Sequence, residues 1–261
     1  MIRKLFCFGL LAAAALSAIS GPAVAAAAEK THQVRIAFVG DSMADGLWGA
    51  MFRRVGKDKC LAQRIALLRR ARNGTGLARM DQFNWVEQIR TIAKNNSVDL
   101  FVGSFGINDR QGIVEPAKKR IEFGTPEFDD RYKAIVTDAV RAALAEGSSM
   151  LIVGLPVILD SAANADAAGK NRIYEAALQE MDSDRAAYVP PWQSTSGGDQ
   201  FKPYLPNAAG TIVQVRAQDG VHFTPEGYDM VMNALYPAID AALRRRGEDL
   251  ATECAYEAKT K

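Results

Sequence analysis

Ser42 stands in Val39-Gly40-Asp41-Ser42-Met43 at the end of an apolar run, and Asp219-Gly220-Val221-His222 lies near the far end of the chain, with Gly106-Ile107-Asn108-Asp109 between them. A serine hydroxyl is a weak nucleophile at neutral pH and needs an adjacent base to take its proton. The chain offers two histidines, His32 and His222. His32 precedes the first expected strand and so falls at the edge opposite Ser42, which makes His222 the base. Asp219, three residues earlier, can reach back to one imidazole nitrogen while the other faces Ser42, fixing the tautomer and stabilising the imidazolium. A tetrahedral acyl-transfer intermediate also needs donors for its oxyanion. The backbone N–H of Ser42, the backbone N–H of Gly74 and the side-chain amide of Asn108 suit that role, with Gly76 as the second choice of glycine. Ser42, His222 and Asp219 are therefore the expected catalytic residues of an acyl-transfer site.

Alternating apolar runs and helical patterns supply the frame. Strands are expected over Gln33 to Val39, Ile65 to Leu68, Leu100 to Phe105, Met150 to Leu155 and Ala187 to Val189. Between them, helical spacing covers Ala44 to Arg54, Phe83 to Ala93, Asp129 to Ala145 and Asn171 to Met181, and a last helix runs from Pro225 to Leu243 behind Thr224 as its N-cap. This rhythm predicts a three-layer α/β/α sandwich of flavodoxin-like type with a mainly parallel five-stranded sheet. Ligands of such sheets bind outside the carboxyl ends of the strands, where Ser42, Gly74 and Asn108 all fall. The stretch from Trp192 to Val215 breaks the rhythm, with an expected hairpin between Phe201 to Leu205 and Thr211 to Val215 that forms part of a specificity wall.

Residues 1–25 read as an export signal: Arg3 and Lys4, an apolar stretch from Leu5 to Ile19, then Ala23-Val24-Ala25 as a cleavage site. Residues 26–261 then form a single periplasmic domain without stable membrane insertion. Cleavage removes two basic residues and no acidic ones, so the net charge of +2 falls to zero. That balance offers nothing to nucleic acid. Cys60 and Cys254 remain as an even pair in a compartment that permits disulfides, either bridged or as two buried thiols, and no ligand spacing suggests a metal.

The four blocks resemble, in order, those of the SGNH or GDSL-like hydrolases: Gly40-Asp41-Ser42, Gly74, Gly106-Ile107-Asn108-Asp109 and Asp219-Gly220-Val221-His222. Gly74-Thr75-Gly76-Leu77-Ala78-Arg79 and the string from Arg216 to Thr224 look like a bacterial exported subgroup of unknown function. Two departures from the family pattern stand out: Met43 replaces the leucine or isoleucine of many members, and the glycine block lacks the usual N-x-G-x-S-G form. The resemblance implies a flavodoxin-like α/β/α fold, no metal or other cofactor, and esterase or acyltransferase chemistry on a polysaccharide or other O-acyl substrate.

The leading expectation is a serine esterase that removes a small O-acyl group, acetyl or similar, from a periplasmic carbohydrate. An O-acyltransferase and a non-catalytic glycan-binding protein are the alternatives. Gly74 to Arg79 also has the look of a broken dinucleotide fingerprint, but Arg79 replaces the third glycine and the motif does not follow the first strand. Arg79, Arg110 and Arg216 sit beside the glycine, asparagine and histidine blocks and are expected to bind an anionic substituent. Trp192 is the expected sugar-stacking residue, and Trp85 fits the apolar face of a helix.

Overall fold

The computed structural model describes residues 33–190, 198 and 200–260; the signal segment, His32 and Trp192 lie outside the described residues. The chain forms β1 (Val34–Gly40), α1 (Ser42–Gly56), α2 (Lys59–Arg64), β2 (Ile65–Arg69), α3 (Trp85–Asn96) and β3 (Leu100–Ser104). Two short strands follow, β4 (Ile113–Val114) and β5 (Arg120–Ile121), then α4 (Pro126–Leu144), β6 (Ser149–Val153), α5 (Ser161–Met181) and β7 (Ala186–Val189). A hairpin of β8 (Tyr204–Pro206) and β9 (Ile212–Gln214) precedes α6 (Pro225–Arg245) and α7 (Leu250–Thr260).

Five strands make one sheet in the order β2-β1-β3-β6-β7, every neighbouring pair parallel. Side chains alternate across a strand, and here the alternation feeds two cores. Ile36 and Phe38 of β1 join Leu100 and Val102 of β3 in packing against α1 and α6. Ala37, Val39 and Phe101 face the other way, toward α3, α4 and α5. That division builds the expected three layers.

Local chemistry sets the helix starts. Thr224 caps α6 by accepting from Gly227 N–H, with Pro225 at the first helical position, and Thr125 does the same for α4 through Phe128 N–H. α5 begins ten residues before the expected start at Asn171, because Asp160 caps it through Ala163 N–H. The hairpin falls where expected, as β8 and β9. Cys60 of α2 and Cys254 of α7 are bridged, which decides between the two readings of that pair. No helix among the described residues is long and apolar enough to cross a membrane.

β1 and β3 are neighbours, with Gly40 in register with Ser104. The chain passes from β1 to β2 on one side and to β3 on the other, so their carboxyl ends flank the point where strand order reverses. Ser42 and Asn108 leave the sheet at that point.

Candidate active site

Ser42 is the first residue of α1, directly after β1. Asp41 caps the helix, one carboxylate oxygen accepting from Met43 N–H at 2.9 Å and the other from Ile107 N–H at 3.3 Å. One buried side chain thus ties the Ser42 helix to the Asn108 turn. Burial pushes the Asp41 carboxyl up to about 7, the Met43 N–H opposing this and the nearby Asp109 charge adding to it. The Ser42 N–H is one of the donors that a helix start leaves without an intrahelical partner, and it bonds no acceptor among the described residues.

His222 and Asp219 arrive on the loop before α6. Ser42 Oγ lies 2.6 Å from His222 Nε2, and His222 Nδ1 lies 2.6 Å from Asp219 Oδ2. The second Asp219 oxygen accepts the backbone N–H groups of Val221 and His222, each at 2.9 Å. Burial works to raise the Asp219 carboxyl, but the His222 imidazole and those two N–H groups outweigh it and hold the group at about 2. An ionised Asp219 fixes the imidazole proton on Nδ1, which leaves Nε2 to accept from Ser42.

Arg216 builds this loop and does not face a ligand. It is fully buried and donates to the carbonyls of Val157, Val221 and His222, with burial lowering its guanidinium to about 10. The expectation that it binds substrate is corrected: the loop's inward carbonyls need donors, and Arg216 supplies them. Arg79 pairs with Asp81 through two bonds of 2.9 and 3.0 Å. Arg110 does line the cleft beside His222 and Asn108. Trp85 is core, as expected, and its Nε1 donates to Thr75 Oγ1 at 3.0 Å.

The Gly74 turn and the Asn108 turn are stitched together. Asn108 Nδ2 donates to the Thr75 carbonyl at 2.9 Å. Asp109, fully buried, accepts from Leu77 N–H at 2.8 Å, Ala78 N–H at 3.0 Å and Tyr132 Oη at 2.8 Å. Tyr132 Oη pairs with Tyr174 Oη, which donates to the Phe105 carbonyl. Gly74 holds φ +76 in an open part of this turn, a conformation that favours glycine. Sequence reasoning missed Asp109 as an organiser, although it directly follows Asn108; nothing local marks Tyr132 or Tyr174.

The model of the family described as "Protein of unknown function (DUF459)" matches residues 35–238. Among curated proteins, none matches this chain. Solved structures share the fold at low identity. A carbohydrate esterase of family 3 from Talaromyces cellulolyticus has 14% identity and TM-score 0.52, covering 79% of this chain and 96% of its own. A carbohydrate acetylesterase from Sinorhizobium meliloti has 13% identity and TM-score 0.51, with coverages of 80% and 99%. A catalytic mutant of an acetylxylan esterase from Geobacillus stearothermophilus has 14% identity and TM-score 0.53, with coverages of 79% and 94%. The fold of this chain is that of the SGNH hydrolases.

Proposed function

This chain belongs to the family described as "Protein of unknown function (DUF459)", and we propose that it is a serine esterase that removes a small O-acyl group from a carbohydrate in the periplasm. The observation that carries the reading is the continuous line from Asp219 through His222 to Ser42, with both links at 2.6 Å.

In the proposed reaction Ser42 Oγ attacks the ester carbonyl carbon while His222 Nε2 takes its proton. The carbonyl oxygen, now negative, is held by the Ser42 N–H, by the amide hydrogen of Asn108 not engaged with Thr75, and by an N–H of the Gly74 turn. His222 then returns the proton to the departing alcohol oxygen as the carbon–oxygen bond breaks. Water, deprotonated by the same imidazole, attacks the acyl carbon, and as the bond to Ser42 Oγ breaks the imidazole returns the proton to Ser42, releasing the acid.

The carbohydrate and the compartment are inferred on different grounds. Carbohydrate esterases among the structures of like fold favour an acylated sugar. The export signal read in residues 1–25 and the Cys60–Cys254 bridge favour an oxidising compartment. The test is a fluorophosphonate probe followed by mass spectrometry, with acetylated polysaccharide as substrate. A covalent adduct on Ser42 and released acid support the reading; an intact serine that never labels overturns it.

A further inference from the structure

On the esterase reading above, we infer that the cleft between the Asn108 turn, the start of α5 and the His222 loop is the acyl subsite, and that it takes a neutral aliphatic acyl group longer than acetyl. The cleft has a volume of about 290 Å³, and Asn108 and His222 both line it. Ser42 Oγ lies 2.6 Å from His222 Nε2, and His222 lines this space, so an acyl group on Ser42 Oγ has the cleft beside it. Of the two halves of the ester, a glycan continues beyond any cleft of this size and needs an open path. The acyl group is bounded and fits within it.

Volume argues against acetyl as the natural occupant. A water's share of liquid volume is about 30 Å³ and a methyl group is of similar size, so an acetyl methyl leaves most of the cleft unfilled. The wall is aliphatic: Ile107, Leu155, Ile158, Ala163, Ala167 and Val221. Ala163 and Ala167 stand four residues apart on α5, hence on one face, and their small side chains keep that wall open.

The cations in the wall are answered. Asp166 pairs with Lys170, a buried ammonium with 2% side-chain exposure, and Arg110 lies 3.6 Å from Asp160. Asp219, an ionised carboxylate that also lines the cleft, adds a third anion to Asp166 and Asp160 against these two cations, which disfavours a carboxylate-bearing group such as succinyl. The apolar wall then decides, and each methylene buried against it is worth about fourfold in kcat/KM.

The test compares p-nitrophenyl acetate, butanoate, hexanoate and hemisuccinate on the full protein, with Ala163→Leu and Ala167→Val as variants. Wild-type kcat/KM is expected to rise about 16-fold from acetate to butanoate and to be lower for hemisuccinate than for butanoate. Each variant narrows the cleft and should reduce the butanoate-to-acetate ratio about tenfold. Ala167 is buried, whereas Ala163 is partly exposed, so Ala163→Leu carries the test if Ala167→Val does not fold. Wild-type preference for acetate, or a ratio unmoved in the folded variants, overturns the acyl subsite while the esterase stands. Faster hemisuccinate turnover overturns the neutral acyl class. No hydrolysis of any ester and no labelling of Ser42 overturn the esterase reading, and the subsite with it.

Discussion

Gly76 and Asp109 are packed so closely that a Cβ on residue 76 would lie 2.0 Å from the Asp109 carboxylate oxygen Oδ1. The carboxylate cannot retreat cheaply, because it also accepts from Leu77 N–H, Ala78 N–H and Tyr132 Oη. Gly76→Ala should therefore push Asp109 off its donors, lowering stability by about 1–3 kcal/mol and displacing the turn that meets Asn108. Thermal melting beside kinetics checks this. A variant with wild-type melting temperature and turnover would show that the two turns do not depend on this contact.

His222→Ala should reduce kcat about as severely as Ser42→Ala, because the two act as one unit. In Ser42→Ala the melting temperature should stay near wild type, since that hydroxyl's bond is to His222 alone among the described residues. Burst-phase and steady-state assays with p-nitrophenyl butanoate measure both. Turnover in Ser42→Ala near the wild-type rate removes Ser42 from the nucleophile role.

Catalysis on this reading requires a neutral His222 imidazole to accept from Ser42 and an ionised Asp219 to orient the ring. Asp219 stays ionised until pH falls toward about 2. Its folded pKa is below the ordinary carboxyl value of 3.8, so its stabilising contribution is complete above 3.8 and is lost only as pH falls through about 2. A plot of log kcat/KM against pH is the measurement. A slope steeper than one above pH 4 would show Asp219 taking up a proton there and would overturn its role as the ionised partner of His222.

Asp41 gives the opposite sign. Its folded pKa, raised by burial from 3.8 to about 7, means that the folded protein binds the proton more tightly than the unfolded chain between those values. The associated stability is fully present below 3.8 and is lost as pH rises through about 7, a change on the order of 4 kcal/mol. Urea denaturation from pH 4 to pH 8 should show decreasing stability in the wild type. Asp41→Asn should flatten that slope, at the expense of overall stability, because an amide offers one acceptor oxygen to the two N–H groups of Met43 and Ile107. An equally steep slope in a folded Asp41→Asn protein assigns the titration to another group.

What the sequence reveals here is what local chemistry determines. β1 is apolar from Ile36 to Val39 and β3 from Leu100 to Gly103, and Thr224-Pro225 announces α6 without help from the rest of the chain. Ser42, Asn108 and the Asp219–His222 pair are legible because each follows an element end, and parallel topology brings those ends together. Arg216 is not legible in this way: it is buried by the need of three loop carbonyls for donors, a requirement that exists only once the loop is folded. The first half of α5 has an alanine-rich sequence with little apolar contrast, so its start, and with it the Ala163–Ala167 wall, emerges only from packing. Cys60 and Cys254, 194 residues apart, meet for the same reason.

Asn108 is the residue whose loss should most cleanly separate chemistry from folding. One of its amide hydrogens is given to the Thr75 carbonyl at 2.9 Å, and Thr75 is itself pinned by Trp85 Nε1 at 3.0 Å. The amide plane is thus set before substrate arrives, and the second hydrogen costs no reorganisation when the oxyanion forms. Asn108→Ala should lower kcat about 100- to 1000-fold, roughly 3–4 kcal/mol, and change KM much less, because the donor bonds the transition state more strongly than the ground state. Asn108→Asp should be worse, since an ionised carboxylate sets an acceptor against the Thr75 carbonyl and a like charge against the oxyanion. If Asn108 served only to hold the turn, melting temperature would fall in step with activity, and turnover of the remaining folded protein at low temperature would be normal. Normal turnover in a destabilised Asn108→Ala protein is the result that sinks the oxyanion role.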